Sequence, residues 1–193
     1  MIRVFIAISI PEDILIRCQK LVVHLQKLTL KGTFSRKDSI HLTLKFLGNI
    51  DEKKIPNITE KLRQVARVAV PFQLDIQGLG VFPNLANPRI ICVGIAQSPD
   101  LYRLKREIEE QLEVLGFHLE TRDFNPHLTL ARLKSRKNLS ELRNCLTQRE
   151  SNEAIGTMKV RAVHLFQSIL RPMGAEYRKL VTVTLGSSSN DVC

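Results

Sequence analysis

Tryptophan is absent from the 193 residues, tyrosine occurs only twice, and eight phenylalanines supply the rest of the aromatic surface. Packing must therefore rest mainly on aliphatic side chains, and few residues are available to stack on a planar ligand. The four cysteines, Cys18, Cys92, Cys145 and Cys193, stand far apart with no Cys-x-x-Cys pair. That spacing argues against a zinc knuckle and a disulfide framework, leaving reduced core or tail thiols. No apolar run approaches the roughly 20 residues a membrane-spanning helix requires. The run at the start, Val4 to Ile8, is followed by Pro11, Glu12 and Asp13 with no small-residue cleavage site. It reads as a buried first strand, not as a signal peptide, and the chain is expected in the cytoplasm without a membrane partner.

What is present is a folded composition with an excess of positive charge. Hydrophobic residues make up 44% and charged residues 25%, which is ordinary for a globular domain and excludes intrinsic disorder. The net charge of +10 and a pI near 9.8 favour polyanionic partners, because Lys and Arg that neutralise phosphates release counterions. Charge alone selects no site, and the run Lys134-Ser135-Arg136-Lys137 reads as a solvated loop before a binding site.

Periodicity orders the chain. Residues 2–10 read as a strand, and Ile14, Leu15, Cys18, Leu21, Val22, Leu25 and Leu28 recur at helical spacing up to Gly32. Ile40 to Leu47 alternates with a period of two, and Ile58, Leu62, Val65, Ala66 and Ala69 mark a second helix that stops before Pro71. Phe72 to Val81 is a further strand, and Asn84, Asn87 and Pro88 mark a turn region. The pattern then repeats. Arg89 to Ala96 reads as a strand, and Ser98-Pro99 starts a helix through Leu101, Leu104, Ile108, Leu112 and Leu115 to Gly116. His127 to Leu133 is a strand, and Asn138 to Glu141 has capping-box spacing for a helix burying Leu142, Cys145 and Leu146. Met158 to Leu170 and Tyr177 to Leu185 read as the last two strands. The expectation is an α+β protein of two similar lobes, their antiparallel sheets facing a central groove with helices outside. It spans residues 1–186 as one domain with an internal pseudo-twofold duplication, followed by a flexible tail at 187–193.

One tetrapeptide occurs twice, at corresponding places in the two pattern halves: His41-Leu42-Thr43-Leu44 and His127-Leu128-Thr129-Leu130. From composition alone, two copies have a chance expectation on the order of 10⁻⁵. In a strand, residues i and i+2 share a face, so each copy offers an imidazole and a hydroxyl on one side and two leucines to the core on the other. Two imidazoles facing one phosphorus centre can divide acid and base duties near neutral pH. Two threonine hydroxyls can stabilise charge on the non-bridging oxygens. The remaining histidines, His24, His118 and His164, read as ordinary structural residues. No Asp, Glu or Cys shares the motif spacing and Thr is a poor zinc ligand, so no metal is expected.

These motifs and their flanks resemble the 2H phosphoesterase superfamily, most closely its RNA 2′,3′-cyclic phosphodiesterase branch, historically called 2′-5′ RNA ligase. The resemblance runs through Arg3-Val4-Phe5-Ile6-Ala7, His41 to Gly48, Gly80-Val81-Phe82-Pro83, Phe124 to Arg132, Ser168, and Gly174-Ala175-Glu176-Tyr177. It implies the bilobal 2H fold, no cofactor, His41 as proton donor and His127 as proton acceptor, with Thr43 and Thr129 beside them. It also implies Arg132 as a phosphate ligand. Strict alternation from His127 turns Arg132 to the opposite face, so this role requires a bulge near Ala131. Phe34 stands where the family shows an aromatic, often Trp, and is the candidate for stacking on a base; Cys92 stands where an aromatic is also usual. The implied activity opens an RNA 2′,3′-cyclic phosphate, or a small cyclic-phosphate nucleotide, to a 2′-phosphomonoester, in a monomer. Two alternatives stand beside it: ligation or hydrolysis of 2′-5′ linkages by the same residues, and a non-catalytic module that binds RNA ends.

Overall fold

The computed structural model describes residues 1–135, 139–148, 154–171 and 174–186. The expected tail at 187–193, Asn138 of the capping box and the turn residues Pro172 and Met173 lie outside them. Along the chain come β1 (Ile2–Ser9), α1 (Glu12–Gln26), β2 (Gly32–Phe34), β3 (His41–Ile50), α2 (Ile55–Val68), β4 (Phe72–Phe82) and β5 (Ile90–Ile95). They are followed by α3 (Pro99–Glu113), β6 (His127–Leu133), α4 (Leu139–Gln148), β7 (Ala154–Val160), β8 (Ala162–Arg171) and β9 (Gly174–Thr184).

Local chemistry accounts for these elements. Helix α1 opens behind an extended Pro11 with Glu12 and Asp13 in its first turn, where carboxylates complement the helix dipole. It buries Ile14, Cys18, Leu21, Val22 and Leu25, the face its spacing predicts. Ser98 caps α3 by accepting a hydrogen bond from the Leu101 amide, with Pro99 in the first turn. Beyond its end, Gly116 adopts a φ of 85°, a left-handed conformation that glycine takes without strain.

The strands join in one antiparallel path, β7-β4-β5-β6-β3-β1-β8-β9, with β2 added alongside β6. Outward from its centre, the path gives β3-β1-β8-β9 on one side and β6-β5-β4-β7 on the other. The halves meet where Leu42 opposes Leu128, both fully buried. Each half is therefore not a continuous stretch of chain. Strand β4, which follows the first motif in sequence, pairs with β5 and β7, while β8 returns to pair with β1. The stretch expected as one strand from Met158 to Leu170 is two strands that break at the exposed Arg161 and belong to opposite halves. Neither Gly nor Pro marks that break, so apolar alternation ran through it.

Helices α1, α2 and α3 lie against this sheet, α1 on β6 and β7, α2 on β8 and β9, and α3 on β3. One apolar cluster runs from Val4 to Leu185 and draws on both halves. Cys18, Cys92 and Cys145 are buried free thiols, and burial pushes Cys18 and Cys92 up to about 11, where they are not nucleophiles at neutral pH.

Candidate active site

His41 opens β3 and His127 opens β6, so the central strand pair starts each motif at one groove. That groove has a volume of about 950 Å³, and His41, Thr43, His127, Thr129 and Arg132 all line it. Leu42, Leu44, Leu128 and Leu130 face the other way and are at most 1% exposed. The alternation that predicted two faces holds through the fourth residue of each motif, then changes in the same way in both.

In β3, Ala7 opposes Thr43 and Ile6 opposes Lys45, leaving Leu44 as an extra residue. In β6, Cys92 opposes Thr129 and Ile91 opposes Ala131, leaving Leu130 as an extra residue. Each motif thus carries a bulge at its fourth position, and the residue after it is buried: Lys45 in one strand, Ala131 in the other. Side-chain parity shifts by one, which turns Phe46 and Arg132 into the groove. The bulge that Arg132 required is present. Ser35 holds it from outside: its amide donates to the Leu130 carbonyl at 2.8 Å and its hydroxyl donates to the Thr129 carbonyl at 2.8 Å.

Phe34 does not belong to the groove. It opposes Ala131, which is fully buried, and opposed residues of an antiparallel pair share a face, so the Phe34 ring packs on the core. Spacing along the chain sets its distance from the motif but not its parity. Of the aromatic side chains that line the groove, Phe46 is the most exposed, at 56%. Arg3, Phe5, Phe82, Arg122 and Tyr177 also line the groove and escaped the sequence reading as site residues. For Phe46 the signal was available, since it stands at the same offset from His41 as Arg132 does from His127.

The two imidazoles are held alike. His41 Nδ1 lies 2.9 Å from the Ser39 carbonyl and His127 Nδ1 lies 2.8 Å from the Asn125 carbonyl. A carbonyl only accepts, so each neutral ring carries its proton on Nδ1 and its lone pair on Nε2. Their surroundings differ. His41 sits among Phe5 at 4.7 Å, Tyr177 at 4.9 Å and Phe166 at 6.2 Å between ring centroids, whereas His127 stacks on Phe82 at 5.5 Å. Burial pulls the His41 imidazole down to about 4; the Ser39 bond opposes this, and the charges of Arg132 and His127 add to it. His164, read as structural, is buried on β8 against the Thr182 hydroxyl at 3.0 Å.

In the free groove at neutral pH, His41 is therefore uncharged. A phosphate anion beside it favours the imidazolium, so its titration midpoint is expected near 4 without ligand and higher with a nucleoside 2′-monophosphate bound. Following the His41 ring protons by NMR over pH checks this, and a midpoint that stays put would mean that the phosphate does not lie beside His41. Among the described residues no group of three or more His, Cys, Asp or Glu side chains is placed to hold a metal ion, and no helix is long and apolar enough to cross a membrane.

Residues 16–169 match the 2′-5′ RNA ligase superfamily. The chain belongs to that family. It is 35% identical over 179 residues to the RNA 2′,3′-cyclic phosphodiesterase of Archaeoglobus fulgidus, covering 92% of this chain and 97% of the relative. The Methanothermobacter thermautotrophicus protein of the same name is 31% identical over 176 residues, covering 91% and 95%. Among solved structures, a Thermus thermophilus protein superposes with a TM-score of 0.80 at 25% identity, over 95% of this chain and 98% of the other. Escherichia coli LigT complexed with 3′-AMP superposes at 0.74 with 22% identity, over 96% and 99%, and shows the shared fold. The superfamily membership and the bilobal α+β architecture agree with what the paired motifs implied.

Proposed function

We propose that the chain hydrolyses RNA 2′,3′-cyclic phosphodiester ends to 2′-phosphomonoesters, with His41 and His127 as the acid and base pair. The observation that carries this is the matched geometry of the two motifs: each imidazole is fixed through Nδ1, each stands with its threonine on one face of a rigid strand, and both pairs line one groove with Arg132. Relatives at 35% and 31% identity named RNA 2′,3′-cyclic phosphodiesterase support the substrate class.

The reaction follows from these groups. The Nε2 lone pair of neutral His127 accepts a proton as water attacks phosphorus. The P–O3′ bond breaks, and His41, charged once the phosphate anion lies beside it, gives its Nε2 proton to the departing oxygen. Thr43 and Thr129 donate to the non-bridging oxygens, and the Arg132 guanidinium balances their charge, a planar fork suited to phosphate. Phe46 offers a stacking face for a nucleobase, the part first assigned to Phe34. No step needs a Lewis acid. Both motif pairs come from one chain and one core, which fits a monomeric single domain over 1–186, and the buried free thiols fit a reducing cytoplasm.

The test is digestion of a defined oligonucleotide ending in a 2′,3′-cyclic phosphate, after exhaustive EDTA treatment, with chromatographic separation of 2′- and 3′-phosphomonoesters. Turnover with undiminished rate and a 2′-phosphate product is the expected result. Binding without turnover would leave only an RNA-end module, and loss of activity restored by zinc or manganese would replace the two-histidine mechanism with metal chemistry.

A further inference from the structure

Lys45 follows the first motif and, by strict alternation, would face the groove with His41 and Thr43. The bulge at Leu44 sends it the other way, and it is only 2% exposed. Burying an ammonium is costly unless it is paired and hydrogen-bonded. Lys45 Nζ donates to Glu109 Oε1 at 3.1 Å on α3 and to the His118 carbonyl at 2.8 Å. Glu109 also pairs with Lys105 at 2.9 Å and accepts from the Glu120 amide at 3.2 Å, and its bonds to Lys105, Lys45 and Glu120 outweigh burial to hold its carboxyl below the usual range. Lys105 reaches on to Glu120 at 3.5 Å and lies 5.2 Å over the Phe124 ring. The Tyr102 hydroxyl donates to the Phe124 carbonyl at 3.3 Å.

Every one of these bonds outside α3 and β3 ends on the segment 118–124. That segment forms a groove wall through residues 119–124, and the next residue, Asn125, also lines the groove and supplies the carbonyl that fixes His127 Nδ1. The position matching Lys45 in the second motif is Ala131, small and buried, so only the first strand reaches across in this way.

We propose that Lys45 is a positioning residue for His127: its ammonium, with Glu109 and Lys105, anchors the 118–124 wall and thereby sets the Asn125 carbonyl that orients the second imidazole. The first motif's strand thus governs the ring of the second motif, which couples the two halves of the site. The inference rests on the proposed hydrolase reading for its kinetic consequence alone. Its structural consequence stands on the tautomer of His127.

The experiment is Lys45→Met, which keeps much of the aliphatic stem and leaves Glu109 paired with Lys105. Three readouts follow on the folded protein: His127 ring-nitrogen shifts by NMR, amide exchange of residues 118–125, and kcat and KM on a nucleoside 2′,3′-cyclic monophosphate. Expected are a mixture of His127 tautomers in place of the single Nδ1–H form, exchange of the Glu120 amide faster by about tenfold or more with β6 unchanged, and kcat lower by roughly tenfold with KM within about threefold. A single Nδ1–H tautomer together with kcat within about twofold of wild type would overturn the proposal, as would a rise in KM alone. Should Lys45→Met not fold, Lys45→Gln, which keeps a shorter polar donor without the charge, is judged by the same spectra: a second His127 tautomer supports the proposal and an unchanged ring refutes it. Wild-type protein inert on the cyclic nucleotide would defeat the hydrolase reading, while the spectra still decide the role of Lys45.

Discussion

His41→Ala and His127→Ala are each expected to lower kcat by a factor of about 10² or more while the circular dichroism spectrum and the unfolding transition stay close to wild type. Each substitution removes a proton-transfer group held by a backbone carbonyl at the start of its strand, whereas the strands are anchored by the buried leucines on the other face. Thr43→Ala and Thr129→Ala are expected to cost less, on the order of 1.5 to 3 kcal/mol, one hydrogen bond to a charged oxygen. The double histidine variant should lose little beyond the worse single one, because acid and base act in one step. Steady-state kinetics on a cyclic-phosphate dinucleotide measure all of this, and near wild-type turnover by either single histidine variant would remove the acid and base assignment.

Arg132→Ala is expected to reduce kcat/KM by about 10- to 150-fold, the equivalent of a charge-assisted hydrogen bond of about 1.5 to 3 kcal/mol. Arg132→Lys should fall between, since it keeps the charge and loses the planar fork. The alanine variant carries a second signature. The Arg132 charge helps to push the His41 imidazole down, so its removal should raise the His41 titration above the midpoint of about 4. A kinetic defect without that movement would mean that the guanidinium acts far from His41, and wild-type kinetics would leave it a surface charge.

Much of this site was legible because its chemistry is written in a repeated word. Rarity singled out the two tetrapeptides, and two-residue alternation placed the imidazoles with the hydroxyls and the leucines with the core, as the structure has them. Alternation failed at the next step, because a bulge inserts one residue without leaving a composition signal. Lys45 and Phe46 exchange faces there, and the matching shift at Leu130 brings Arg132 inward. Phe34 was misplaced for a related reason. Its face depends on which residue of β6 it opposes, and a three-residue strand fixes that only by pairing. Helices fared better: the buried faces of α1, α2 and α3 follow from spacing along a single segment. The exchange of β4 and β8 between halves was invisible because strand partners are long-range, and consecutive elements usually neighbour each other.

That exchange bears on how the chain comes off the ribosome. Strand β1 (Ile2–Ser9) is made well ahead of β8 (Ala162–Arg171), with which one of its edges pairs. At about 5–20 residues per second, on the order of 10 to 30 s separate the two. During that interval β3 can cover one edge of β1, but the other edge, in a stretch almost wholly apolar, has no native partner to cover it. The half of the site that carries His41 therefore waits for β8. A growing chain of this protein is most open to edge-to-edge aggregation, and most in need of a holding chaperone, just before β8 emerges.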